Sequence, residues 1–182
     1  EAPLTPPHSS TQAESSYLTY HHLALDDDRL GKMIRSESLN AIASEGPDQG
    51  ASVASLLAIT PEGLRLLALD DDRLGKMIQP ECLNAVVSRG PRQGKSVAFG
   101  LAACPEGRGL LAQDDYRVGK EITPACLNAV VSKGPDQGQS VAFWLAACPE
   151  GRCLLAQDGY SLGKQITPEC LNSGGKKKKK KK

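Results

Sequence analysis

Aromatic side chains are scarce, at 4% of 182 residues, with one tryptophan and two phenylalanines. The interior must therefore be filled by Leu, Ala, Val and Ile, which suits closely packed helices better than a sheet sandwich. Histidine is scarcer still. The three present, His8, His21 and His22, fall in or beside the N-terminal stretch, away from any recurring cysteine or serine, so no nucleophile–base triad can be assembled. A full G-x-S-x-G elbow, a complete P-loop and a Rossmann glycine run are missing as well. The expectation is a chain that is not an enzyme, with no catalytic residue, no cofactor and no bound metal. No apolar run approaches the roughly 18 residues that cross a bilayer.

Charge of one sign is also lacking, once the chain is divided. The formal net charge is +1, but seven of the 22 basic residues form one run, Lys176 to Lys182. The rest carries 15 basic against 21 acidic residues, a balance of −6. An acidic body argues against broad binding to nucleic acid or anionic lipid, which both need a positive field.

What is present is a period. Gly31, Gly75, Gly119 and Gly163, each followed by lysine (Lys32, Lys76, Lys120, Lys164), recur at a step of 44 residues. The same frame aligns Leu39-Asn40, Leu83-Asn84, Leu127-Asn128 and Leu171-Asn172, and also Gly46-Pro47, Gly90-Pro91 and Gly134-Pro135. Fixed self-similarity of this length marks supersecondary units that bury their apolar sides against near-copies. The expected fold class is all-α, an α-solenoid of 44-residue repeats with two to three helices each.

The third copy shows the expected punctuation. Thr123 caps a helix that begins at Pro124, runs through Val131 and stops at Gly134-Pro135. A second helix runs from about 135 or 136 to Ala147, with Val141, Trp144, Leu145 and Cys148 on one face. A third opens at Pro149 and ends near Asp158, and Tyr160 to Ile166 form a turn or a short helix. Residues 1–16, rich in Pro, Ser and Thr, read as a flexible leader, and 17–172 as the repeat region. Residues 173–182 are a glycine linker and a lysine homopolymer, the pattern of an appended tag or of lysines standing in for other residues. A genuine basic tail is the alternative.

Three of the six cysteines, Cys82, Cys126 and Cys170, share one repeat phase, and Cys104 and Cys148 another. Ser38 and Thr60 take those phases in the first copy. Such exchange, with no CxxC spacing, points to small packing positions and reduced thiols, hence to a cytoplasmic setting. Among the recurring polar residues, Asn40, Asn84, Asn128 and Asn172 are expected to bond the backbone of the adjoining copy as a ladder. The Asp26/Asp70/Asp114/Asp158 and Lys32/Lys76/Lys120/Lys164 positions are expected to cap the turns between helices. Asp26-Asp27-Asp28 with Gly31 and Glu37, copied as Asp70-Asp71-Asp72 with Gly75 and Glu81, is similar to an EF-hand loop. Leu30 and Leu74 replace an oxygen ligand there, so a solvated acidic helix end is the expected reading.

In period and helix content the chain resembles HEAT and armadillo arrays, and it looks like the repeat arrays of effectors that intracellular bacteria deliver into host cells. The resemblance implies a scaffold or adaptor that binds another protein, in the cytoplasm or in a host cytosol. Positions that drift between copies are expected to form the partner surface: Ser55/Phe99/Phe143, Leu56/Gly100/Trp144 and Arg65/Gly109/Cys153. Trp144 is expected either as a core plug or as an exposed anchor. The candidate surface residues are Phe99, Phe143, Trp144, Arg89, Arg92, Lys95 and Lys133. End-to-end self-association is expected because the fourth copy breaks off without a polar cap.

A rival reading comes from the run Ile-Thr-Pro-x-x-Leu-Asn-Ala-Val-Val-Ser-x-Gly. It resembles the first helix and loop of transcription-activator-like repeats, where a pair after the serine reads a base. The corresponding pairs are Glu45-Gly46, Arg89-Gly90 and Lys133-Gly134. That resemblance implies nucleic-acid binding, and the locally basic Arg89, Arg92 and Lys95 favour it.

Overall fold

The computed structural model describes residues 33–68, 74–157 and 162–170, a mostly helical chain without a strand element among them. The first copy holds α1 (Ser36–Asn40), α2 (Val53–Leu57) and α3 (Pro61–Ala68). The second holds α4 (Pro80–Asn84), α5 (Val97–Ala103) and α6 (Pro105–Tyr116), and the third α7 (Pro124–Asn128), α8 (Val141–Ala147) and α9 (Pro149–Leu155). Short 3-10 turns at Gly75–Met77, Gly119–Glu121 and Leu162–Gln165 precede the next copy's first helix. The expected turn or short helix near 160–166 takes this form. The leader, the acidic segments 26–28 and 70–72, and the lysine tail lie outside the described residues.

Local chemistry sets the helix ends. Thr123 accepts a hydrogen bond from the Cys126 amide and Pro124 takes the first helical position, as expected. Ser52, Ser96 and Ser140 cap the second helix of their copies through the amides of Ser55, Phe99 and Phe143. Two expected boundaries are corrected. The first helix of the third copy stops at Asn128, because Val130 turns extended and pairs with Ser140 in a bridge. The second starts only at Val141, because Gly134 and Gly138, at φ 84° and 91°, fold the intervening residues into a loop that no helix can share. β-branched Val130 and Val131 suit the extended form. The expected face of α8 also rotates, since Val141, Ala142 and Leu145 are the buried residues and Trp144 and Cys148 are half-buried.

Helices pair within copies and between them. α2 packs on α3, α5 on α6 and α8 on α9. Between copies, α2 packs on α5 and α5 on α8, while α3 packs on α6 and α6 on α9. Leu57, Leu101 and Leu145, one step apart, are all at most 1% exposed. Each such leucine contributes about 2 kcal/mol over its exposed state. The close approach within a copy needs glycine at the third position of Pro-Glu-Gly. A Cβ on Gly63, Gly107 or Gly151 would lie 2.1–2.3 Å from the carbonyl oxygen of Leu57, Leu101 or Leu145.

α6 ends unusually. Asp114, Asp115 and Tyr116 take φ of 53°, 58° and 64°, one left-handed turn. That conformation costs an L-residue about 1–2 kcal/mol, and aspartate bears it better than most.

Candidate interaction surface

Asparagine joins the copies. Asn40 Nδ2 donates to the Ser36 and Met77 carbonyls at 2.9 Å each, and its Oδ1 accepts from the Gln79 amide at 2.8 Å. Asn84 does the same with Pro80 (2.9 Å), Glu121 (2.8 Å) and Thr123 (2.8 Å). Asn128 repeats it with Pro124 (2.9 Å), Gln165 (2.8 Å) and Thr167 (2.9 Å). A side-chain amide carries its donors and its acceptor on separate atoms, so it can hold a carbonyl and an N–H of the neighbouring backbone at once. The expected ladder is present at these three positions, and Asn172 lies outside the described residues.

The recurring thiols are likewise placed between copies. Ser52, Ser96 and Ser140 lie 3.2, 3.3 and 3.0 Å from the sulfurs of Cys82, Cys126 and Cys170. All six cysteines are free. Burial raises the Cys82, Cys126 and Cys170 thiols above their usual range, Cys126 to about 11, against a smaller lowering by the serine hydroxyl. Their thiolates, the nucleophilic form, are thereby suppressed at neutral pH.

Charge at the Gly-Pro loops alternates along the chain: Asp48, Arg92 and Asp136 occupy one position. Arg92 meets the Asp48 carboxylate of the preceding copy at 2.8 Å, and Lys95 meets Asp136 of the following copy at 3.0 Å. The locally basic second copy is thus clamped between acidic neighbours. Arg92 and Lys95, expected on the candidate surface, are half-buried and ion-paired instead of standing there as free cations. Arg89 and Lys133, on the same loops, are exposed. Loops of successive copies touch through the Ser88 and Ser132 amides, which donate to Gln49 and Gln93 at 3.0 and 3.3 Å.

The turn residues pair both across turns and within one. Lys76 reaches Asp114, at the start of the following turn, at 3.3 Å instead of capping its own, while Lys120 lies 3.7 Å from Asp115 of its own turn.

Drifting positions divide into two kinds. Phe99 is only 4% exposed, not displayed on an open face as expected, and Ser55, Leu56 and Gly100 are buried as well. Phe143 and Trp144 are half-buried, edge to face with centroids 5.6 Å apart. The indole Nε1 donates to Gln139 Oε1 at 2.9 Å and the ring packs against the core, so the plug-or-anchor alternative resolves to partial burial with a satisfied polar tip. Arg65, Gly109 and Cys153 are exposed as expected. The split was not visible in one copy's helical period, because burial here is decided by the neighbouring copy.

One local motif escaped the sequence reading. Gly94-Lys95-Ser96 has the ending of a phosphate loop, but Lys95 is held by Asp136 and Ser96 by the α5 cap and Cys126. It has no free donor set for a phosphate. Next to it, α5, the residues after α2 and Asp136 border an open hollow of about 150 Å³. Among the described residues no group of three or more His, Cys, Asp or Glu is placed to hold a metal, and no helix is long and apolar enough to cross a membrane. Comparison with protein-family models, curated proteins and solved structures finds no match to this chain.

Proposed function

We propose that the chain is a non-catalytic α-solenoid scaffold that presents one varied face to a protein partner. A single division of labour carries this reading. Residues constant between copies, the Asn ladder and the Ser–Cys contacts, bond copy to copy. Residues that vary and remain exposed, Arg89 and Lys133 on the loop edge and Arg65, Gly109 and Cys153 on the third helices, are free to differ without disturbing that framework. A constant frame with an interchangeable face suits extended recognition of a polypeptide.

A displayed random-peptide library selected on the full chain tests the proposal. Enriched peptides should lose binding when Arg89→Glu and Lys133→Glu are combined, with the helical circular dichroism unchanged. A selection that yields no binder sinks the scaffold reading. The nucleic-acid alternative draws on Arg89 and Lys133, while the pairing of Arg92 and Lys95 weakens it. Salt-sensitive gel shifts by a chain ending at Gly175 would replace the protein-partner proposal with that one.

A further inference from the structure

We infer that the hollow between α2 and α5 receives an aromatic side chain of a partner polypeptide, one bearing a ring N–H or O–H. This rests on the scaffold reading and names the chemistry of one contact within it.

The chain carries its own template for the occupant. Ala58, Ile59, Lys95, Phe99, Gly100 and Asp136 are among the residues lining the hollow of about 150 Å³. One step of 44 residues later, Gly100 becomes Trp144, Lys95 becomes Gln139 and Phe99 becomes Phe143. There the indole stands edge to face with Phe143 at 5.6 Å and donates to Gln139 at 2.9 Å. The third copy thus holds a tethered indole against counterparts of two lining residues. In the second copy glycine stands at that position, and the hollow lies beside it. The glycine is also required, because a Cβ would lie 2.6 Å from the Ala58 carbonyl oxygen and 2.7 Å from its Cβ. The second copy therefore cannot supply the ring from that position itself.

The walls suit a ring from outside. The hollow is open to solvent and combines apolar walls, Ala58, Ile59, Phe99 and Ala103, with the polar Lys95 and Asp136. Phe99 offers an aromatic neighbour, with the Lys95 ammonium 5.9 Å from its centroid. Lys95 has no acceptor to replace the Gln139 amide oxygen, but its ion-pair partner Asp136, 3.0 Å away, supplies carboxylate oxygens at the rim. An indole N–H or phenol O–H therefore finds an acceptor. Ile59, 48% exposed, lines the hollow and would be covered by the incoming ring.

N-acetyltryptophanamide, titrated into the 15N-labelled full chain, tests the site. Amide shifts should cluster at Ile59, Lys95, Gly100 and Cys104, and binding should be about three- to tenfold tighter than that of N-acetylleucinamide, the margin expected of an aromatic pair. Ala103→Phe, which fills the hollow from its own lining, should abolish the shifts. Should that variant fail to fold, the tryptophan-to-leucine comparison on the unaltered chain decides alone. Shifts absent from the hollow, or equal affinity for the two probes, overturn the inference. If library peptides still bind the loop edge in that case, the scaffold reading stands without it.

Discussion

Replacing Asn84 by alanine removes the link between the second and third copies at its polar centre. The side chain makes three hydrogen bonds, two of which, to the Glu121 carbonyl and from the Thr123 amide, cross to the 3-10 turn and the cap of α7. At about 1 kcal/mol each the loss is about 3 kcal/mol. The Thr123 and Pro80 contacts are exposed to water, which can replace part of that pairing, so about 2 kcal/mol is the working figure. With a urea slope of about 2 kcal/mol/M, the unfolding midpoint should fall by about 1 M. Asn84→Asp should be at least as damaging at neutral pH, because a carboxylate in that place faces two carbonyl oxygens and has no proton to give. Urea titration followed by circular dichroism measures both. A midpoint within about 0.2 M of the unaltered chain, for either variant, would mean that the ladder is incidental to how the copies hold together.

Burial that keeps Cys126 protonated up to about 11, against a usual 9.0, contributes stability that is complete below pH 9 and disappears as pH rises to about 11. Alkaline titration of stability should show a loss over that window that is about 2–3 kcal/mol larger in the unaltered chain than in Cys126→Ser, the other buried thiols contributing to both; identical profiles would contradict the thiol's placement. Gly94→Ala and Gly109→Ala should have opposite signs. At Gly94, φ is 94° and a Cβ would lie 2.5 Å from the Val130 carbonyl oxygen, so a loss of about 3 kcal/mol is expected. Gly109 faces nothing within 4 Å inside α6, so alanine there should add about 0.5–1 kcal/mol, and thermal melts distinguish the two. A double-mutant cycle on Asp48 and Arg92 should give a coupling of about 1 kcal/mol that shrinks with added salt, since the pair is partly shielded from water; zero coupling would remove the proposed role of alternating charge in joining the copies.

Much of this molecule was legible from residues alone, because its rules are local or periodic. The 44-residue step, proline at the start of helices, the Thr123 cap and the bridging role of Asn all follow from residue chemistry repeated at a fixed interval. The tertiary structure decided what depends on a neighbouring copy. Sequence reasoning placed Phe99, Arg92 and Lys95 on a surface, yet Phe99 is buried and the two cations meet Asp48 and Asp136. A helical period shows which residues share a face, but not whether another copy lies against it. The same holds for charge: the second copy is basic by itself, and only packing brings the acids of the first and third within ion-pair distance.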